Sequence, residues 1–494
     1  MKEIKLFING EFKTAEKSYT SANPANGEAI AKVYLPSAKD IDGAVDAAET
    51  AFQSSEWKAM DANKRADILE FISNKIKERR NEFTELEVAD SGSSLHKAKA
   101  DVHNTVTYFK VLAGQLRQFK FEVKDEASSR AGFSTNYKQY MPVGVCAQII
   151  PWNLPLLMAA WKIGPVIASG STTVLKSAQE TPGTAALLAE VIAESGLPKG
   201  VVNIITGGAE EGTHLLANKK IKKIAFTGST QTGRKIMEVA SKNLQNVSLE
   251  LGGKSANIIL KDADLSLAID GALYAFLYHA GQACESGTRL LVDESIYPEV
   301  KAKLIQRMSE VKVGAPSTPG TAYGPVINEK QYNTIMNYIE TSKKEGAKLL
   351  TGGTRLTQDG MDKGFYIAPT AFEVNADNTI FNEEIFGPVL AVSTFKTEEE
   401  AIKLANKSIY GLAGAVWSKD PERAMKIARQ IEAGTVWINE YHLLNPGMPF
   451  GGLNQSGIGR ELGEEGIKSY LEVKHLWVSD CDERAKKPWF DVLF

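Results

Sequence analysis

The spacing of apolar residues changes character three times along the chain. Residues 1 to about 35 hold short apolar runs broken by turn signals, Asn9-Gly10 and the segment NPANGE, and predict short strands. From Ala38 to Gln118 apolar residues recur at intervals of three and four, so AKDIDGAVDAAETAFQS and DANKRADILEFISNKIKERRNEFTELEVADSG predict helices. GFSTNYKQYMPVGVCAQII then predicts extended chain. Strand and helix alternate afterwards: STTVLKSA, a helix TPGTAALLAEVIAESG ended by Gly196, the strands VVNIITGG and KKIAFTG, a helix TGRKIMEVASKN, and the strands VSLEL and ANIIL on either side of Gly252-Gly253. A second alternating set runs from LSLAIDGALYAFLYHAGQ, read as helix to Ala280 with Gly281 as its cap, to WINE. Such alternation predicts an α/β protein with a doubly wound parallel sheet. With 494 residues, two or three domains are expected.

Composition removes several classes of partner. The 57 basic and 60 acidic residues leave a net charge of −3, which favours neither nucleic acid nor an anionic membrane. MKEIKLFINGEF lacks the apolar core of a signal peptide, and the most apolar region, AQIIPWNLPLLMAAWKIGPVIASG, is broken by Asn153, Lys162, prolines and glycines, so no membrane span is expected. Cys146, Cys284 and Cys481 are far apart and odd in number, which points to a reducing cytoplasm. No histidine or cysteine cluster has metal-ligand spacing, so no metal is expected.

Cys146 lies in an apolar strand and reads, with Cys481, as core filler. Cys284 differs. It follows a helix on a short loop, and Gly281, Ser286 and Gly287 leave room for a substrate to approach, the setting of a thiol nucleophile. A thiol that attacks a carbonyl needs donors for the resulting oxyanion, and Asn153, between two prolines in an apolar run, offers an amide. A base must then activate water. Glu250 stands in the apolar strand VSLEL just before a glycine pair, where burial raises a carboxyl toward the working range of a general base. Alternation puts Ser248 and Glu250 on one face of that strand, and a half-exposed edge strand is the competing reading. Gly228, Ser229 and Gly233 in KKIAFTGSTQTGRKIM place a helix N-terminus where a pyrophosphate could bind, and Lys176 at a strand's carboxyl end suits ribose hydroxyls.

These pieces, in PWNLPLLM, VLKSAQETP, FTGST, LELGGKS, GQACESGTR, EEIFGPV and PFGGLNQSGIGRELG, resemble the NAD(P)-dependent aldehyde dehydrogenase superfamily in order along nearly the whole chain. The resemblance implies a Rossmann-type cofactor domain of residues 1–121 and 143–252, an α/β catalytic domain of residues 253–470, and a small β oligomerisation element of residues 122–142 and 471–494, in a homodimer or homotetramer. It implies NAD as cofactor, and an aldehyde oxidised to an acid through a thiohemiacetal and a thioester on Cys284. The Asn153 amide and the Cys284 N–H would hold the oxyanion. Glu250 would activate the hydrolytic water, and Glu461 would assist in proton or water handling. On the cofactor, Ile149, Ile150, Pro151 and Trp152 resemble the residues lining the adenosine side, Ser229 the pyrophosphate-binding serine, Leu251 a neighbour of the dinucleotide, Glu384 the nicotinamide-ribose ligand and Phe386 its packing partner. Leu154, Trp161 and Phe450 match the aldehyde tunnel, with residues 442–448 at its mouth. No cation anchors an acidic substrate there, so aliphatic or aromatic aldehydes are expected.

Two departures stand out. Many NAD-using relatives carry glutamate three residues after the lysine. Here that position is Gln179, which would not repel a 2′-phosphate, so NADP should be better tolerated. Glu285 follows the nucleophile where small or apolar residues are commoner. Either it points away, or it helps select a cationic or hydroxylated substrate. Relatives that pass the acyl group to coenzyme A generally lack the glutamate found here at 250, and the retention of Cys284, Glu250 and Asn153 together argues against an idle binding protein on this fold.

Overall fold

The structure, a computed structural model, describes residues 2–130 and 133–493. Its first large sheet has eight strands in the order Gly457–Ile458, Asn246–Glu250, Lys223–Thr227, Val145–Ile149, Thr172–Ser177, Val202–Thr206, Leu6–Ile8, Glu11–Lys13. The middle five run parallel. The chain starts at Val145–Ile149, winds to one side, then crosses back to Lys223–Thr227 on the other. The reversal therefore lies at the carboxyl ends of Val145–Ile149 and Lys223–Thr227, the point where an open α/β sheet leaves a crevice for a ligand.

Asn246–Glu250 is not an edge strand with one wet face. The short strand Gly457–Ile458 pairs antiparallel with it, and Ser248, Leu249 and Glu250 are all buried. That pairing draws residues 457–458, which the sequence assigns with the second unit, into the first sheet.

The apolar stretch after Val145–Ile149 becomes a helix, Pro155–Ser169, in which every residue is buried. It packs against the sheet and the helices Ala62–Glu78 and Leu95–Gln118. Its sequence shows no amphipathic stripe because it has no solvent face, and Pro165 lies inside it. Among the described residues no helix is long and apolar enough to cross a membrane.

After Glu250 the chain passes through residues 251–255 directly into the second sheet. Its order is Lys348–Thr351, Thr370–Glu373, Val389–Phe395, Arg289–Asp293, Ala256–Ile259, Ala413–Trp417, Thr435–Ile438, parallel except at Lys348–Thr351. The helix expected to reach Ala280 stops at Leu277. His279, Ala280 and Gly281 follow with φ of 52°, 55° and 73°, a left-handed run that turns the chain toward Cys284. A side chain at Gly281 would meet the carbonyl oxygen of Gly387 at 2.2 Å, so the turn is also a close approach of two backbones.

A three-stranded antiparallel sheet joins Leu471–Ser479, Ser134–Pro142 and Glu122–Lys124. Val473, Trp477 and Val478 on its last strand are exposed, as are Trp489, Phe490, Val492 and Leu493 beyond it. The Trp489 ring packs edge-on against Phe133 at 5.4 Å, while Phe494 lies outside the described residues. Cys481, expected in the core, sits half-exposed after this strand, whereas Cys146 is fully buried.

Candidate active site

Cys284 sits on the loop between the turn Tyr278–Gly281 and the strand Arg289–Asp293, partly exposed in a cavity of about 630 Å³. Gly253 permits this placement: a side chain there would come within 2.4 Å of the Cys284 carbonyl oxygen. The crossing between the sheets and the nucleophile loop therefore touch. Sγ donates to Glu285 Oε2 at 3.2 Å, so Glu285 faces the thiol rather than pointing away. Burial, and then the charge of Glu285, push the Cys284 thiol well above the usual range.

Asn153 is buried at the entrance to the helix Pro155–Ser169. Its Nδ2 donates to the carbonyl of Gln282 at 2.7 Å, which spends one amide hydrogen on the nucleophile loop and leaves the second for an incoming oxygen. Its own carbonyl accepts from Lys97 Nζ at 3.1 Å, and Lys97 pairs with Asp101 at 2.6 Å. Gln282 is tied in turn to the His279 carbonyl and the Ile327 N–H. The Asn153 side-chain amide is thus tied to Gln282, and its backbone carbonyl to Lys97.

Glu250 lines the same cavity, and neither of its oxygens has a hydrogen-bond partner among the described residues. Burial, and then the charge of Glu461, raise its carboxyl well above the usual range, while Lys162 opposes the rise. Glu461 forms an ion pair with Lys162, whose side chain is wholly buried in the helix Pro155–Ser169. The sequence marked Lys162 only as a break in an apolar run. A lysine flanked on both sides by core residues is itself the signal of a buried anionic partner.

On the nucleotide side, Ser229 caps the helix Thr230–Ser241, accepting from the Thr232 N–H, and is exposed beside the cavity with Gly228. The unpaired N–H groups of that turn suit a pyrophosphate. Gly233 closes the helix onto Leu251, its missing side chain leaving 2.7 Å. Pro151, Trp152 and Leu251 line the cavity, and Phe386, at φ 57°, stacks edge-on with Trp152 at 5.4 Å. Glu384 accepts from the Gly253 N–H at 3.1 Å, and burial lifts its carboxyl to about 7. Lys176 bonds to the carbonyls of Ser177 and Gly207, and burial lowers its ammonium to about 8. Gln179 stands half-buried against Gly208 nearby. Lys176, Gln179 and Ile149 lie outside the cavity wall, at the carboxyl end of the sheet, where Ile149 and Lys176 both face Gly212. The Ile150 side chain is buried in the same core cluster as Leu175. These residues fit a dinucleotide laid across the reversal of the sheet.

On the substrate side, Trp161 and Phe450 meet edge-on at 5.5 Å, and both also belong to the core; Leu154 lies beside them. The passage is less apolar than expected. Tyr274, Tyr278, His442 and Glu285 complete one wall. The sequence set His442 at the tunnel mouth without linking it to Glu285, 157 positions away.

A thiol, an amide and a buried carboxyl opening onto one crevice beside a dinucleotide-type sheet fit an oxidoreductase. The family is settled by comparison: residues 12–476 match the model of the Aldehyde dehydrogenase family, and the chain belongs to that family. It is similar to betaine aldehyde dehydrogenase of Bacillus subtilis (44% identical, covering 98% of this chain and 99% of the relative) and to human mitochondrial aldehyde dehydrogenase (43%, 96% and 91%). Among solved structures, an NAD+ complex of betaine aldehyde dehydrogenase from Staphylococcus aureus superposes with a TM-score of 0.94 at 40% identity over 97% of this chain and 96% of that one. An NAD+ complex of Bacillus cereus aldehyde dehydrogenase gives 0.93 at 42% over 97% of each.

Removing Lys162 takes away the cation that holds the Glu250 carboxyl down. With Glu250 read as the base, the rising limb of kcat against pH in Lys162→Gln is expected about 1 pH unit higher than in the wild type. An unmoved limb would contradict the coupling.

Proposed function

We propose that the protein oxidises an aldehyde to its carboxylic acid with NAD+, through a covalent adduct on Cys284. The observation that carries this reading is the one cavity onto which Cys284, Asn153 and the unpartnered Glu250 all open. Sulfur bonds to the aldehyde carbon, and the oxygen so charged is met by the second Asn153 hydrogen and the Cys284 N–H. NAD+ bound across the reversal of the first sheet supplies the hydride acceptor that leaves a thioester on Cys284. Glu250 takes a proton from water, which attacks the thioester and releases the acid. Glu461, paired with Lys162, shares the charge of that second proton transfer.

The cofactor grip is assigned to Lys176 and Gln179 at the adenosine end, to the helix N-terminus at Gly228 and Ser229 for the pyrophosphate, and to Glu384 and Phe386 at the nicotinamide end. With Gln179 in place of glutamate, NADP+ is a usable second choice.

For the aldehyde, the Trp161–Phe450 pair favours an aliphatic or aromatic chain. A quaternary ammonium aldehyde is the second reading, favoured by the rings of Tyr274 and Tyr278, whose π faces attract such a cation. Two relatives bear the name betaine aldehyde dehydrogenase.

We assign cofactor binding to residues 1–121 and 143–252, catalysis to residues 253–470, and assembly as a dimer or dimer of dimers to residues 122–142 and 471–494. The exposed apolar side chains after Leu471 are the surface such an assembly would cover.

A turnover screen of aliphatic, aromatic and quaternary ammonium aldehydes with NAD+ and NADP+ tests the activity. The wild type is expected to yield acid and reduced cofactor, and Cys284→Ala neither. Gln179→Glu is expected to lower kcat/KM for NADP+ about tenfold while sparing NAD+. Acid formation undiminished in Cys284→Ala would overturn the function, and a strong NAD+ preference unaffected by Gln179→Glu would overturn the cofactor reading. Deleting residues 486–494 is expected to shrink the assembly seen by analytical ultracentrifugation. An unchanged assembly state and stability would remove the tail from the interface.

A further inference from the structure

Before its sulfur can attack, Cys284 must lose a proton, and its own loop supplies an acceptor. Glu285 Oε2 accepts from Sγ at 3.2 Å, while Oε1 lies 3.0 Å from His442 Nδ1. The other ring nitrogen, Nε2, is 3.1 Å from the Ala275 carbonyl oxygen, which has no hydrogen to give. Nε2 therefore carries a hydrogen, and the Nδ1–Oε1 contact holds one more proton, on one atom or the other. Glu285 and His442 together are thus electrically neutral. Both are almost fully buried, with side chains 8% and 3% exposed. The imidazole is fixed by Tyr278 at 4.8 Å, Tyr441 at 4.9 Å and Tyr274 at 5.3 Å. Glu250 makes no such contact with the thiol.

We infer that Glu285 is the base that takes the proton of Cys284, with His442 as the residue that positions it and balances its charge. This rests on the aldehyde-oxidising reading of the site. The Sγ proton moves to Oε2, and the electron pair of the S–H bond stays on sulfur. Sulfur bonds to the aldehyde carbon as the carbonyl π pair moves onto oxygen. When water later cleaves the thioester, sulfur leaves with the C–S pair and recovers the proton from Glu285. While the proton is on Glu285, the thiolate faces a pair bearing one positive charge, the setting that favours a thiolate.

Other charges face these groups. Glu250 and Glu384 act on the thiol from across the cavity, and both disfavour its ionisation. Asp101, Tyr274, Tyr278 and Tyr441 surround Glu285. Burial would raise the Glu285 carboxyl, but the hydrogen bond and charge of His442 outweigh it and hold the group below its ordinary value. The thiol lies above its own. Between those limits the two side chains share a single proton, and the fraction with that proton on Glu285 does not vary with pH. A thiol without a base would instead become about tenfold more reactive with each unit by which the pH rises toward its pKa.

The test is alkylation of Cys284 by iodoacetamide in enzyme free of aldehyde and cofactor, followed by peptide mass spectrometry from about pH 6 to about pH 8.5. The wild-type rate is expected to stay within about threefold across the range. Glu285→Gln is expected to be at least about tenfold slower near neutrality and to climb about tenfold per pH unit. A wild-type rate that climbs in that way overturns the inference, and it does so whether or not the variant folds. So does a Glu285→Gln protein that is alkylated as fast as the wild type or faster, the result expected if Glu285 merely repels the thiolate. Alkylation needs no aldehyde, so a flat profile in a protein that turns over no aldehyde would defeat the functional reading and leave this one standing.

Discussion

The site depends on the five residues 251–255 that carry the chain from one parallel sheet into the other. Because the crossing is so short, the end of Asn246–Glu250 and the start of Ala256–Ile259 cannot separate, and the crevice of the first sheet opens against the second. Gly253 lets the crossing touch the backbone of Cys284, and the Gly253 N–H holds Glu384. Glu250, Cys284 and Glu384 thus meet through one stretch of backbone. The left-handed turn at His279, Ala280 and Gly281 serves the same closeness from the other side, seating the nucleophile loop against Gly387.

Burial then sets the chemistry. Burial in the cavity penalises every charge there, and the molecule answers differently for each group. Lys162 neutralises Glu461, Lys97 neutralises Asp101, and His442 neutralises Glu285. Glu250 has no hydrogen-bond partner among the described residues, and burial lifts its carboxyl well above the ordinary value. The same carboxyl exposed to solvent would be too weak a base.

Much of this was legible in the amino-acid order, for identifiable reasons. Asn153, Glu250 and Cys284 stood out because each is a polar or reactive residue where packing alone would select an apolar one, and the change from helical spacing to strand-helix alternation marked the parallel sheets. What escaped has physical causes too. The helix Pro155–Ser169 has no polar face to give it a period. The left-handed turn falls on His279 and Ala280, residue types that do not announce it. Lys162 and Glu461 are 299 positions apart, and Glu285 and His442 are 157, so their pairing exists only in the folded chain.

The central claim is that Cys284 carries the acyl group and Glu250 admits the water that removes it. Intact-protein and peptide mass spectrometry of Glu250→Gln, mixed with an aldehyde that the wild type oxidises and with NAD+, addresses both halves at once. The account predicts one equivalent of reduced cofactor, then arrest, with the acyl mass found on the peptide bearing Cys284. Continued turnover at the wild-type rate, or an acyl mass on any other residue, would contradict it.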